Sequence, residues 1–223
     1  MDTTDFNYSN LSGRPPGPFI STASRLLRGV REVQTQVVPY AEAWQAHNRA
    51  ALCADGPLWV ALGDSMTQGI GASAFNRGWT AGVAEMLPAH RLVNLSVTGG
   101  LVTDLLERQL PAMASLGATP DLVTVMIGSN DLINRRARST ISYDLSALLE
   151  RLPAGTVITT LPGGPRGTTA FNDQIVSAPG LVPAELRDPR MSLKGRLAAD
   201  HFHPNDAGYA VMAGIVREAV SAR

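Results

Sequence analysis

Five short runs of apolar residues constrain the fold of this chain more than any other feature of its sequence. Most are apolar on both faces, which is typical of strands in the middle of a parallel sheet that is covered on both sides. The runs therefore predict a mainly parallel five-stranded sheet. They are LWVALGD (58–64), RLVNLSV (91–97), DLVTVMIG (121–128), TVITTLP (156–162) and LVPAEL (181–186), the last with the weakest pattern.

Helical stretches alternate with these runs and predict the two layers that cover the sheet. A chain of 223 residues, of which 44% are hydrophobic, is long enough to bury one sizeable core. We therefore predict a single α/β domain over residues 58–223, built as a three-layer α/β/α sandwich. Its helices are expected near 78–88, 101–116, 140–151, 168–177 and 205–221.

The sequence before the first run divides into two parts. Residues 1–20 are polar and rich in Pro and Gly, and they predict a flexible tail without chemistry. Apolar positions over 22–50 step by three and four residues, which predicts a helical segment within 21–57 that packs on the domain and is kinked or split by Pro39. The same stripe would suit a substrate cover or a seam between two copies of the chain, and its period does not separate these alternatives.

The composition excludes several classes of protein. Lys plus Arg and Asp plus Glu each total 19, so there is no basic field to attract nucleic acid. The longest apolar run, near 210–216, has only about seven residues, far fewer than a membrane span needs. The start of the chain lacks the pattern of a secretory signal, and Cys53 has no second cysteine to pair with, so we expect a cytoplasmic protein.

Reactive residues in such a sheet gather beyond the carboxyl ends of the strands. Three strands end in Gly63-Asp64-Ser65, Thr98-Gly99-Gly100 and Gly128-Ser129-Asn130-Asp131, and a fourth polar segment, Asp200-His201-Phe202-His203-Pro204, precedes the last helix. A serine hydroxyl becomes a good nucleophile only when an oriented base takes its proton. Ser65 lies in a glycine-flanked turn, and Asp200 and His203 are spaced to contact each other, so the three form a candidate triad.

An ester's tetrahedral intermediate also needs hydrogen-bond donors for its oxyanion. The candidates are the backbone N–H groups of Ser65 and Gly99 and the side-chain amide of Asn130. Each of these residues also has an ordinary structural interpretation, since Gly99 suits a tight turn and Asn130 suits a helix cap. We interpret the neighbouring Asp64 and Asp131 as structural carboxylates, and His201 is the rival base.

Four motifs together resemble the SGNH hydrolase family, also called GDSL-like esterases and lipases, and the finer pattern resembles its actinobacterial-type members. The resemblance spans about residues 58–221 and implies a flavodoxin-like fold, a small-molecule ester substrate and no cofactor or metal. It implies Ser65 as nucleophile, His203 rather than His201 as base, Asp200 as its partner, and Gly99 and Asn130 as oxyanion donors. The motifs are GDS (63–65), NLSVTGG (94–100), GSND (128–131) and DHFHPNDAGY (200–209).

One departure from the family and two rival functions stay open at this point. The linker between residues 175 and 181 is about ten residues shorter than usual, which puts the fifth strand and the helix before it in doubt. Asp64 and the segment near Asn130 resemble parts of the two-metal site of a metal-dependent phosphoesterase, but the four histidines are not spaced to complete such a site. A binding module without turnover is the other rival.

Overall fold

Five parallel strands form the centre of the molecule in the computed structural model, which describes residues 6–15, 24–192 and 194–223. In chain order they are β1 (Leu58–Gly63), β2 (Arg91–Asn94), β3 (Leu122–Met126), β4 (Val157–Thr159) and β5 (Val182–Ala184). Their order in the sheet is β2-β1-β3-β4-β5, and every neighbouring pair is parallel. The predicted sheet is confirmed, although each strand is shorter than its apolar run.

The fifth strand forms in spite of the short linker that precedes it. Val182 of β5 pairs with Val157 of β4, and the Val182 N–H donates to the Thr156 carbonyl over 2.9 Å. The preceding helix ends at Val176, so the chain needs few residues to reach the sheet edge. Both elements that the short linker put in doubt, β5 and the helix before it, are therefore present.

The helices lie on both faces of the sheet, as the alternation of patterns predicts. They are α1 (Arg28–Gln34), α2 (Val37–Leu52), α3 (Ser65–Gln68), α4 (Trp79–Ala84), α5 (Val102–Asp104), α6 (Leu110–Ala114), α7 (Ser129–Ile133), α8 (Ile141–Arg151), α9 (Thr168–Val176) and α10 (Asp206–Ser221). A π-helical segment, Leu105–Gln109, joins α5 to α6, and short 3-10 turns cover Phe75–Arg77, Ala137–Ser139 and Pro189–Met191.

Strand β1 shows why the apolar runs do not alternate. All six of its residues are buried. Val60 and Leu62 belong to the apolar cluster that includes Leu105 and Leu145, whereas Trp59 belongs to the cluster on the opposite face. Because successive strand side chains point to opposite faces, a strand covered on both faces must be apolar at every position.

Helices α1 and α2 correspond to the predicted N-terminal helical segment. They are separate helices, and the break between them lies one turn before Pro39, which is the third residue of α2. Proline lacks an N–H and clashes with the carbonyl four residues earlier, so it is tolerated in the first turn of a helix but not within it. Val33 and Trp44 of the apolar stripe are buried within this chain.

Residues 6–15 are not a flexible tail, and this part of the sequence prediction is wrong. Asn10 is completely buried, and its amide donates to the carbonyls of Asn94 and Ser96, each over 2.9 Å. The Tyr8 hydroxyl donates to the Leu95 carbonyl over 2.6 Å. Pro and Gly do exclude regular structure here, but side-chain hydrogen bonds hold the irregular chain in place. Residues 1–5 and 16–20 of the predicted tail lie outside the described residues.

In the described part of the chain, no helix combines the length and the apolar composition that crossing a membrane requires.

Candidate active site

Ser65 lies where the central strand β1 turns into α3, a region that we call the serine turn (residues 63–65). A Cβ at Gly63 would collide with the Met126 carbonyl oxygen of the neighbouring strand, so only glycine fits there. The Gln109 side chain accepts from the Gly63 N–H and donates to the Gly63 carbonyl, both over 2.8 Å. Asp64 caps α3 by accepting the Met66 N–H over 2.9 Å. Ser65 thus begins the helix on a firmly held backbone.

His203 lies beside Ser65 on the irregular stretch before α10, which we call the histidine segment (residues 197–205). Its Nε2 is 2.9 Å from Ser65 Oγ, and its Nδ1 is 2.6 Å from Asp200 Oδ2. The other oxygen of Asp200 accepts the N–H groups of Phe202 and His203, each over 3.0 Å. The Asp200 carboxylate therefore fixes both the backbone of this turn and the orientation of the imidazole.

The charge of Asp200 is consistent with this geometry. Its partial burial acts to raise the pKa, but the hydrogen bond from His203 and the attraction of that side chain outweigh burial and leave the pKa below its ordinary value. The carboxylate is therefore ionised at neutral pH. An ionised Asp200 accepts the Nδ1 proton, which leaves Nε2 of a neutral imidazole free to accept a proton from Ser65.

His201, the rival base, is exposed and has a positive φ of 56°. The imidazole in contact with Ser65 is that of His203, so the structure brings together the three residues of the candidate triad and leaves His201 on the surface. Phe202, between the two histidines, packs its ring edge-to-face against His203 with the ring centroids 4.9 Å apart.

The second strand end forms the glycine loop (residues 98–100), which packs on the serine turn. A Cβ added at Gly100 would lie 3.3 Å from the Gly63 carbonyl oxygen and 3.7 Å from the Cα of Asp64. Gly99 has a φ of +73° and is exposed. Among the described residues, no acceptor is bonded to the backbone N–H of Gly99 or of Ser65. Both N–H groups can therefore donate to a bound ligand.

Asn130, from the third strand end, joins the other two. Its side-chain amide donates to the Gly100 carbonyl over 3.0 Å and lies 3.4 Å from Asp64 Oδ2. The amide therefore lies next to both the glycine loop and the residue that precedes Ser65. The serine turn, the glycine loop and Asn130 therefore lie against one another at this edge of the sheet.

Two buried carboxylates support these loops. Burial raises the pKa of Asp64 to about 7, with repulsion from Asp131 adding to the effect. Burial likewise raises the pKa of Asp131 to about 6, and both of its oxygens lie within 3.2 Å of the Val102 N–H that they accept. Each carboxylate binds backbone at the start of a helix, in agreement with the predicted structural role.

Sequence analysis missed a polar network behind the glycine loop. Gln68 donates to the carbonyls of Asn10 and Ser96, over 2.7 and 3.0 Å, and accepts from the Thr98 hydroxyl. One signal was available, because Asn48 continues the apolar stripe of α2 four residues after Trp44. A polar residue at a core-facing position implies a buried partner, and Asn48 does donate to the Asn94 carbonyl over 2.7 Å.

In the described ranges, no group of three or more His, Cys, Asp or Glu side chains is placed to hold an ion.

Comparisons with known proteins identify the family and the fold of this chain. The model of the GDSL-like lipase/acylhydrolase family matches residues 61–211. No curated protein matches the chain. The solved structure of TesA is similar over 74% of this chain and 98% of its own, with 22% identity and a TM-score of 0.64.

Two further solved structures share the fold. The acetylxylan esterase Axe2 from Geobacillus stearothermophilus has 21% identity over 75% of this chain and 95% of its own, with a TM-score of 0.56. A family 3 carbohydrate esterase from Clostridium thermocellum has 15% identity over 72% of this chain and 93% of its own, also with a TM-score of 0.56. At these identities the structural likeness shows the fold alone.

Proposed function

Because the chain belongs to the GDSL-like lipase/acylhydrolase family, and is thus a hydrolase of the SGNH type, we propose that it is a serine esterase whose nucleophile is Ser65. The observation that carries this proposal is the unbroken contact from Ser65 Oγ to His203 Nε2, and from His203 Nδ1 to Asp200 Oδ2. Acyl transfer through a serine requires a hydroxyl, a base and an orienting carboxylate that contact one another in this order.

In the first half of the reaction, His203 Nε2 takes the proton of Ser65 as Oγ attacks the carbonyl carbon of the ester. The tetrahedral intermediate collapses, the bond to the alcohol oxygen breaks, and His203 returns the proton to the leaving alcohol. This leaves an acyl group on Ser65 Oγ. Asp200 keeps Nδ1 protonated and stabilises the imidazolium that forms at each proton transfer.

In the second half, His203 removes a proton from water, and the resulting hydroxide attacks the acyl-enzyme carbonyl. The bond to Ser65 Oγ breaks, Oγ recovers the proton from His203, and the carboxylic acid leaves. Water is the only co-reactant, so this cycle needs neither a metal nor a cofactor.

The oxyanion of each intermediate is assigned to three donors: the N–H groups of Ser65 and Gly99 and the Asn130 amide. Asn130 has two N–H groups, and the Gly100 carbonyl holds the amide through a 3.0 Å bond. The 3.4 Å contact with Asp64 is long for a hydrogen bond and easily exchanged. One N–H can therefore orient the amide while the other donates to the developing negative charge.

The proposal is tested by hydrolysis of p-nitrophenyl esters of increasing chain length with the purified full chain. We expect turnover by the wild-type protein and a loss of at least about 10³-fold in kcat for Ser65→Ala. Ser142→Ala, which removes an exposed hydroxyl on α8, is the matched control and should keep full activity. Equal turnover by Ser65→Ala and Ser142→Ala would refute the assignment of the nucleophile.

A further inference from the structure

The N-terminal extension, meaning the described residues 6–15 and 24–52, lies outside the region 61–211 that matches the family. The solved structures of TesA and Axe2 match about three quarters of this chain over 98% and 95% of their own lengths, so about a quarter of this chain has no counterpart in them. The extension nevertheless contacts the histidine segment and the glycine loop, two of the segments that form the candidate site. Contacts of this kind belong to this chain and not to the family core.

The first contact is between α1 and the histidine segment. A Cβ at Gly29, the second residue of α1, would collide with the carbonyl oxygen of Ala199 and would lie 3.1 Å from the Ala199 Cβ. Ala199 immediately precedes Asp200. The helix backbone therefore rests directly on the peptide that carries the orienting carboxylate, and this approach is possible only because residue 29 has no side chain.

The second contact runs through Gln36, at the junction of α1 and α2. Its side chain accepts the Gly71 N–H over 2.8 Å and donates to the Ala72 carbonyl over 3.1 Å. Gly71 in turn packs against the histidine, since a Cβ added there would lie 2.7 Å from the His203 Cβ. Gln36 thus fixes the backbone against which His203 rests.

The third contact is between residues 6–15 and the glycine loop. Arg14 forms a two-bond ion pair with the buried carboxylate of Asp104, over 3.0 and 2.6 Å, and also donates to the Gly99 carbonyl over 3.2 Å. The Asn10 carbonyl holds Gln68, which holds the Thr98 hydroxyl. The extension therefore contacts the Gly99 carbonyl directly and the Thr98 side chain through Gln68.

We infer that the N-terminal extension positions two parts of the active site, the histidine segment through Gly29 and Gln36 and the glycine loop through Arg14. This inference rests on the proposed function, since it assigns the extension a role in that reaction. Catalytic groups must be held within roughly half an ångström of their working geometry. A displacement of about 1 Å that starts far from the chemistry can cost about 100-fold in rate. None of the three positioning residues needs to touch substrate.

Gly29→Ala tests the contact with the histidine segment, and Gly214→Ala is its control. Both glycines lie in helices and both are half-buried, but no atom lies within 4 Å of a Cβ added at Gly214. We expect Gly29→Ala to lower kcat per fluorophosphonate-reactive site about tenfold or more, with KM within about twofold of wild type. Amide hydrogen exchange over residues 197–205 should become faster in Gly29→Ala and stay unchanged in Gly214→Ala.

Gln36→Met provides a second test that keeps the helix backbone unaltered, so it decides the matter if Gly29→Ala does not fold. Gln174→Met is the control, because Gln174 on α9 is also half-buried and also makes two side-chain hydrogen bonds. We expect a fall of about fivefold or more in kcat for Gln36→Met, again with little change in KM, and no change for Gln174→Met.

The inference is overturned if Gly29→Ala and Gln36→Met match their controls in kcat per reactive site. It is also overturned if their lower activity reflects only fewer reactive sites, because the extension would then support folding and not positioning. Failure of the proposed function gives a different result: wild type itself would show no turnover, or Ser65→Ala would keep it. Hydrogen exchange of the histidine segment reports on the contact in either case.

Discussion

The two halves of the candidate active site are held in different ways. The serine turn leaves a completely buried strand, and its backbone is bonded to Met126 on β3 and to the Gln109 side chain. The histidine segment lies outside the sheet and is closed by an isolated antiparallel bridge between Leu197 and Pro204. Its position depends on packing against Gly29 and Gly71.

This difference shows where the site is vulnerable. The sheet holds the serine turn through backbone hydrogen bonds, from the Asp64 N–H to the Met126 carbonyl and from the Val97 N–H to the Gly63 carbonyl, which do not depend on any side chain. The base is fixed by one carboxylate and by neighbouring backbone. We therefore expect that changes away from the chemistry act mainly by moving His203.

The largest effect is expected from removing the base. His203→Ala should lower kcat by at least about 10³-fold, because Ser65 then has no group to take its proton. The control is His201→Ala, which removes the exposed imidazole two residues away and should leave kcat within about twofold. Steady-state kinetics with a p-nitrophenyl ester measures kcat for both variants. A larger loss of kcat in His201→Ala than in His203→Ala would show that His201 is the base instead.

Removing the Asn130 amide, the proposed side-chain donor to the oxyanion, should have a smaller effect. Asn130→Ala is expected to lower kcat by about 100-fold or more with little change in KM, because the amide is assigned to the oxyanion and not to the ground-state ester. Asn134→Ala, in the exposed turn after α7, serves as the control. A rise in KM with unchanged kcat would show that Asn130 binds substrate instead.

The smallest effect concerns stability. Burial raises the folded-state pKa of Asp64 to about 7, well above the ordinary value of 3.8. In the window between about pH 4 and pH 7 the folded chain binds more protons than the unfolded chain. The stability contributed by protonated Asp64 is therefore present below about pH 4 and is lost as pH rises through about 7. Asp64→Asn, which cannot titrate, should flatten this decline.

Urea unfolding at pH 5 and pH 8 measures how far the free energy of unfolding falls between these pH values. Asp55→Asn, which changes an exposed residue, is the control. The decline expected from Asp64 is of order 1 kcal/mol per pH unit within the window. Asp131, whose pKa is also raised by burial, adds to the decline in all three proteins, so Asp64→Asn should flatten the decline without abolishing it. An equally steep decline in Asp64→Asn would mean that this carboxylate is already ionised in the folded protein.

The core and the site were predictable because their residues carry local signals. Uninterrupted apolar runs such as 58–62 identify buried parallel strands, and the strand-end positions of Ser65, Gly99 and Asn130 follow from the direction of those strands. Asp200 and His203 are three residues apart, so their contact is local as well. Each of these inferences depends on neighbours in sequence or on a general rule for parallel sheets.

The contacts of residues 6–15 carry no such signal. Asn10 is buried and donates to residues more than 80 positions away in the sequence. Its neighbours in the sequence are mainly polar residues, Pro and Gly, which are typical of an exposed loop. The role of Gly29 is equally invisible, because a glycine near the start of a helix does not reveal which backbone approaches it. Packing between distant segments decides both cases, and periodicity and composition do not report it.

All of the proposed chemistry depends on Ser65 being the reactive hydroxyl, and covalent labelling with a fluorophosphonate tests this most directly. We predict that the folded wild-type chain takes up one phosphonyl group, that peptide mapping places it on Ser65, and that Ser65→Ala takes up none. Labelling of Ser65→Ala to the same extent as wild type, or no labelling of folded wild type, would contradict the account.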